Sequence, residues 1–260
     1  MKIVVCIKQV PDTTEVKLDP KTGTLIRDGV PSIINPDDKA GLEAALQIKD
    51  KIGAHVTVLS MGPMQADIAL REALAMGADH AILLSDRAFA GSDTWATSSA
   101  LAGALRKMDY DLIIAGRQAI DGDTAQVGPQ IAEHLHIPSI SYVEEIEAKE
   151  GEIIVKRSFE DGYQMLKAKT PCLITALKEL NEPRYMHIRG IFESFEEGKV
   201  EIWSVNDIEV DMANLGLKGS PTKVKKSFTK GAKTAGKLFD VPAQEGAQII
   251  VDKLQEKYLL

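Results

Sequence analysis

Apolar residues fall in short blocks through the first half of the chain, at Lys2–Ile7, His55–Ser60, His80–Ser85 and Asp111–Ala115. Between them, apolar positions recur at helical spacing over Pro36–Ile52, Met64–Met76, Asp93–Met108 and Gln126–Leu135. Alternation of the two periods predicts repeated strand–helix–strand units and a parallel sheet. The first helix has a well-marked start: Asn35 stands at the N-cap, Pro36 at the first helical position, and Asp37 and Asp38 in the first turn. Ahead of it, Val16–Leu18 and Thr24–Arg27 flank Pro20-Lys21-Thr22-Gly23, which predicts a small hairpin.

From Ser139 the pattern changes. Ser139–Lys149, Glu152–Phe159, Tyr163–Lys169 and Cys172–Ala176 are strand-like and separated by Glu150-Gly151, Glu160-Asp161-Gly162 and Thr170-Pro171. They predict antiparallel strands that extend the sheet. A compact segment, Asn181–Phe192, and a short strand, Val200–Trp203, follow. After Asp207 the chain thins into an arm: Lys218–Lys237 carries seven lysines and no acidic residue, a composition that cannot bury much by itself. The last helix, Val241–Tyr258, is amphipathic. The expected class is α/β, a Rossmann-like mostly parallel sheet with helices on both faces, extended by antiparallel strands, plus a C-terminal arm and helix.

Composition narrows the partners. With 260 residues, 44% of them hydrophobic, the chain can bury a sizeable core, and a net charge of -7 argues against nucleic acid or a membrane surface as the main partner. No apolar stretch approaches the roughly 20 residues needed to span a bilayer, and the chain starts directly on a strand, so the cytoplasm is the expected address. Cys6 and Cys172 both lie in apolar, strand-like contexts and read as reduced, buried thiols.

The candidate chemistry sits after the fourth block, in Gly116-Arg117-Gln118-Ala119-Ile120-Asp121-Gly122-Asp123-Thr124-Ala125-Gln126-Val127-Gly128. A strand that breaks into a long polar loop and then a helix presents unpaired N–H groups at one point, which suits a phosphate; a plain strand–helix turn is the competing reading. Arg117 is the only cation within the loop, so backbone amides of Ala125, Gln126, Val127 and Gly128, with the Thr124 hydroxyl, are the expected donors. Asp121 and Asp123 would repel phosphate and suit ribose hydroxyls or helix capping. A calcium loop fails, because Gln126 stands where glycine is needed and Ala132 where the closing glutamate belongs. Asn35, Met61 and Gly62 belong at the same carboxyl edge of the sheet, and Thr94 and Thr97 share a face at the start of the third helix, as caps or as part of a site. His134 and His136 project from different faces, Glu144, Glu145 and Glu147 read as a solvated strand edge, and no nucleophile elbow is present. The expectation is therefore no metal and no catalytic side chain, any chemistry being carried by a bound cofactor.

Ala115–Gln130 resembles the signature of the electron transfer flavoprotein beta subunit. Val5-Cys6-Ile7-Lys8-Gln9-Val10-Pro11-Asp12, Ile34-Asn35-Pro36, Ser60-Met61-Gly62-Pro63, Ala73–Asp79 and Leu180–Tyr185 resemble it in the same order. The resemblance implies a heterodimer with an alpha subunit that carries FAD, and an adenine nucleotide here held by Cys6, Asn35, Met61, Gly62 and residues 116–127. That nucleotide is AMP in one branch of the family and a second FAD, reduced by NADH, in the electron-bifurcating branch. Asp121-Gly122-Asp123-Thr124 and Val127-Gly128-Pro129 are similar to the bifurcating branch, with Gly122 leaving room and Thr94 and Thr97 toward the flavin end, which favours FAD. The implied partners are ferredoxin or flavodoxin and an acyl-CoA dehydrogenase. The implied division is a nucleotide-binding domain, 1–206, with a partner-recognition segment, 181–198, in which Tyr185, Ile188 and Ile191 dock. Residues 207–260 form the arm and helix against the alpha subunit. A stand-alone nucleotide-binding sensor is the rival from another class.

Overall fold

The structure is a computed structural model that describes residues 1–12, 31–225 and 236–260; the expected hairpin over 16–27 and part of the lysine-rich arm lie outside these described residues. The chain runs β1 (Lys2–Cys6), β2 (Gln9–Pro11), β3 (Ser32–Ile34), α1 (Pro36–Ile52), β4 (His55–Met61), α2 (Asp67–Met76), β5 (His80–Leu84), α3 (Thr94–Leu105), β6 (Leu112–Gly116) and α4 (Val127–Leu135). It continues through β7 (Ser139–Lys149), β8 (Glu152–Phe159), β9 (Gly162–Lys169), β10 (Cys172–Ala176), α5 (Ile188–Ser194), β11 (Val200–Trp203), α6 (Gly216–Gly219) and α7 (Ala243–Gln255). Among the described residues, nine strands form one sheet in the order β11-β5-β4-β1-β6-β10-β7-β8-β9, and β2 and β3 pair separately.

The central strands form because their side chains are apolar on both faces. Ile3, Val5 and Ile7 turn to one side and pack with Leu42, Leu46 and Leu70 of α1 and α2; Val4 and Cys6 turn to the other and pack with Leu101, Leu105 and Ile131 of α3 and α4. Each such side chain, almost wholly removed from water, contributes roughly 1.5–3 kcal/mol. Helix α1 begins at Pro36 as its sequence predicts and ends at Gly53, whose left-handed φ of 72° lets its N–H reach the Lys49 carbonyl.

Two expectations change. The segment Met64–Met76 is a 3₁₀ turn, Met64–Ala66, followed by α2, not one helix. Strand β10 is not part of the antiparallel extension: it pairs parallel with β6 on one side and with the start of β7 on the other, while β7, β8 and β9 are antiparallel. All five residues of β10 are buried, the mark of a strand covered on both faces inside a parallel sheet. Chain contacts group Met1–Lys225 as one compact unit, in which Ile208 and Leu215 join the core, and Lys226–Leu260, which contains α7, as a second. Among the described residues no helix is long and apolar enough to cross a membrane.

The order β5-β4-β1-β6-β10 places the topological switch between β1 and β6. From β1 the chain proceeds outward through β4 and β5, then returns through α3 to β6 on the opposite side. The carboxyl ends of β1 and β6 therefore border the crevice where open α/β sheets bind ligands. Close packing of α1 over these strands depends on Gly41, where a Cβ would lie 2.8 Å from Ile114 Cγ2 and 3.2 Å from Ala176 Cβ. Gly41→Val should destabilise the chain by about 1–3 kcal/mol, read as a lower urea midpoint; an unchanged midpoint would show that α1 can lift off the sheet without cost.

Candidate functional site

Beyond Cys6 and Ala115 the β1–β6 ladder ends, leaving two strand-end amides to be satisfied. The buried carboxylate of Asp38, in the first turn of α1, accepts from both: Lys8 N–H at 2.7 Å and Gly116 N–H at 2.9 Å. Burial pushes the Asp38 carboxyl up to about 7, against the opposing pull of the hydrogen bonds from Asn35, Lys8 and Gly116, and the negative charge of Asp37 adds to the rise. A Cβ on Gly116 would coincide with Asp38 Oδ1, so glycine is required there by close approach. The Arg117 N–H reaches on to the Ala176 carbonyl of β10 at 2.8 Å, and its guanidinium lies 3.3 Å from Asp37 Oδ2. Burial raises the Asp37 carboxyl as well.

Asn35 occupies the N-cap position, yet its side chain does not cap α1. Fully buried, it donates to the Gln118 carbonyl at 2.8 Å and accepts from the Ile120 N–H at 3.0 Å, so it ties the loop as a neighbouring strand would. The loop then turns through Ala119, whose carbonyl accepts from Gly122 and Asp123, and passes left-handed φ values at Asp123 (49°) and Ala125 (52°). Neither Asp121 nor Asp123 caps α4. Asp121 is paired with the Lys8 ammonium at 2.6 Å, and Asp123 accepts from the Gln118 amide at 2.9 Å. The loop is thus served by a second cation, Lys8, that lies far from it in sequence.

Helix α4 starts at Val127 with Gln126 at its N-cap and no side-chain cap. Among the described residues the amides of Thr124, Ala125, Gln126, Val127 and Gly128 have no acceptor, which makes five consecutive free donors at a helix N-terminus; Pro129, next in line, has none to give. Gly128 is buried, and a Cβ there would lie 2.7 Å from Thr175 Cγ2, so it sets how closely α4 approaches β10. At Gly122 a Cβ would meet nothing within 4 Å.

The remaining predicted residues surround this core unequally. Thr94 Oγ1 donates to Gln126 Oε1 at 2.8 Å and links α3 to the loop, whereas Thr97 lies a turn further on, half-buried. The Asp93 carboxylate, which caps α3 through Ala96 N–H, also accepts from Thr222. Met61 and Gly62 close β4, beside β1, and Gly62 N–H bonds to the Leu84 carbonyl. The Cys6 thiol, facing α3 and α4, is pushed up to about 12, by burial first and by Asp38 second, and so stays neutral; Cys172 is likewise free and buried. Cavities of about 450 Å³, between α3, α4 and residues 209–214, and about 470 Å³, between α1 and β7, take in none of residues 116–127. The crevice is an open edge, and its claim rests on donor chemistry.

A second surface is built on α1 and α2. Arg184 clasps buried Glu43 with its backbone N–H and its guanidinium Nε and Nη2, and through Nη2 reaches Asp50 at 2.8 Å; Arg71 holds the Ser194 carbonyl and stacks 5.1 Å from the Phe195 ring. Between these anchors Tyr185, Ile188 and Phe192 are 96%, 76% and 76% exposed, while Ile191 is half-buried. Ile188 and Phe192 lie four residues apart on α5 and so share a face. His134 bonds to Ser98 and Ser99 and meets the Trp95 ring edge-on at 4.6 Å, and Glu144 and Glu145 pair with Lys156.

Lys8, Asp37 and Asp38 are the residues that sequence reasoning passed over. Two acids in the first turn of a helix read as partners of its dipole; the signal that could have separated them is that both fall on the apolar face of α1, with Ala40, Gly41, Ala44 and Ala45.

A model of the electron transfer flavoprotein domain matches residues 22–208. Across the whole of both chains, the protein is 60% identical over 260 residues to an electron transfer flavoprotein subunit beta of Clostridium acetobutylicum. It is 54% identical over 263 residues to the caffeyl-CoA reductase-Etf complex subunit CarD of Acetobacterium woodii, again with all of each chain covered. The acryloyl-CoA reductase electron transfer subunit gamma of Anaerotignum propionicum is 46% identical over 272 residues, with the same full coverage of each.

Asp38 also predicts a pH dependence. Its carboxyl titrates near 4 in an unfolded chain and at about 7 in the fold, so between those values the native state binds more protons and its stability falls as pH rises. The stability difference between wild type and Asp38→Asn should therefore shift steadily against the wild type from pH 4 to pH 7, read from urea midpoints. A difference that moves in favour of the wild type over that range would contradict burial as the dominant influence.

Proposed function

Since this chain belongs to the electron transfer flavoprotein family, as a beta subunit, we propose that it holds FAD in the crevice beyond β1 and β6 and serves electron bifurcation in a heterodimer with an alpha subunit. In this reading NADH is the donor, ferredoxin or flavodoxin the low-potential acceptor, and an acyl-CoA dehydrogenase the acceptor reached through the FAD of the alpha subunit. The observation that carries it is the run of five amides from Thr124 to Gly128, without a partner among the described residues, at the switch point of the sheet. Such a donor set fits a phosphate and needs no lysine on it. The relatives named for caffeyl-CoA and acryloyl-CoA reductases support an acyl-CoA-linked partner.

Flavin bound at this edge supplies the one- and two-electron redox chemistry. The work of the chain is binding and placement. The amides of residues 124–128 hold the phosphate end; Asn35 and Asp38 fix the height of the loop above the strand ends; and Thr94, joined to Gln126, closes the side toward α3. Cys6, Met61 and Gly62 floor the crevice, with Thr97 beyond Thr94. Gly122 leaves open space where a side chain would otherwise project. No side chain here acts as acid or base. Tyr185 and Ile188, with Ile191 behind them, dock the dehydrogenase through the segment 181–198, and residues 207–260 lie on the alpha subunit. The address is cytoplasmic.

Two outcomes test the reading. Purified with its alpha subunit and then denatured, the heterodimer should release two FAD per complex, and NADH should bleach the flavin absorbance before denaturation; one FAD together with AMP would overturn it. Gly122→Glu should weaken flavin binding at the beta site by about tenfold or more, about 1.4 kcal/mol, while the alpha flavin stays bound and the unfolding midpoint of the flavin-stripped protein stays unchanged, because a Cβ at 122 meets no protein atom within 4 Å. Full retention of both flavins would place the pocket elsewhere.

A further inference from the structure

Lys8 touches the crevice in three ways. Its N–H donates to Asp38 Oδ2 at 2.7 Å, its carbonyl accepts from Asn35 N–H at 2.9 Å, and its ammonium sits on Asp121, 2.6 Å from Oδ1 and 2.9 Å from Oδ2. The Lys8 side chain is 43% exposed and that of Asp121 only 10%. Four carboxylates surround this edge: Asp37, Asp38, Asp121 and Asp123. Each has a different answer to its charge. Arg117 stands by Asp37, two backbone amides serve Asp38, and the neutral Gln118 amide serves Asp123. Among the described residues Lys8 is the counter-charge of Asp121, three positions ahead of the run of free amides.

A mostly buried carboxylate left bare there would oppose an arriving phosphate through a medium that screens poorly. Two of the three ammonium donors are committed to the oxygens of Asp121. We propose that Lys8 is a positioning residue: by neutralising and holding Asp121 it sets the loop so that the amides of residues 124–128 can take the phosphate of an adenine nucleotide. This rests on the nucleotide reading given above, and adds that Lys8 acts through Asp121 without contacting the ligand.

The test uses the intact heterodimer, stripped of nucleotide and titrated with FAD and with AMP. Lys8→Met keeps both backbone hydrogen bonds and removes only the ammonium. It should raise the Kd of whichever nucleotide the wild type binds by about tenfold or more, with a smaller loss at high salt. Adding Asp121→Asn in the Lys8→Met background should recover most of that affinity. Wild-type affinity in Lys8→Met would overturn the proposal. A double variant no better than Lys8→Met would also overturn it, because the ammonium would then have to act on the phosphate directly. If the wild-type heterodimer took up neither nucleotide at this site, the parent reading would fail first and this one with it.

Discussion

Two neighbouring parallel strands, β1 and β6, run out of hydrogen-bonding partners together at the carboxyl edge of the sheet, and the Asp38 carboxylate takes both of their final amides. Without that carboxylate two half-buried donors would lose their acceptor, at up to roughly 1–3 kcal/mol each. The clamp also fixes where the following segments start. Lys8 leads away on one side, Gly116 and Arg117 on the other, and Asn35, three residues before Asp38, reaches across to the loop that they border. Helix α1 thus does more than cover the sheet. Its first turn assembles the edge at which a ligand would sit.

The constraint propagates through close contacts. Gly116 has no room for a side chain because of Asp38, Gly41 none because of Ile114, and Gly128 none because of Thr175. These three glycines let α1, β6, β10 and α4 approach one another closely around one point. Gly122 differs, since space around it is open. Charge follows the same logic. Four carboxylates crowd this edge, and each is answered separately by a guanidinium, by backbone amides, by an ammonium or by a neutral amide. The amides of Thr124–Gly128 are then left as the donors without a partner among the described residues.

How far the sequence revealed this follows from which forces are local. Blocks such as Ile3–Ile7 and Leu112–Ala115 are apolar on both faces, as strands covered on both sides require, and Asn35-Pro36-Asp37-Asp38 carries its helix start in neighbouring residues. The direction of β10 was not legible. Burial periodicity is the same for a parallel and an antiparallel strand, and only the return of the chain from β9 into the slot between β6 and β7 decides it. The glycine-rich, polar loop was visible as a loop, and its ordered resemblance to a known signature identified the family. Its internal wiring was not, because Lys8 and Asp121 lie 113 positions apart and Asp38 and Gly116 lie 78 apart. Asp38 was also masked by its own plausibility, since an acid in the first turn of a helix already has a local explanation.

The strand-end clamp is part of the fold, whereas the amides of residues 124–128 are the donors proposed above for a nucleotide. Amide hydrogen exchange on the heterodimer, flavin-loaded and then stripped, separates the two sets directly. Slow exchange is expected at Lys8 and Gly116 in both states, with residues 124–128 protected only when nucleotide is bound. Equal protection of 124–128 in both states, or loss of protection at Lys8 and Gly116 on stripping, would contradict it.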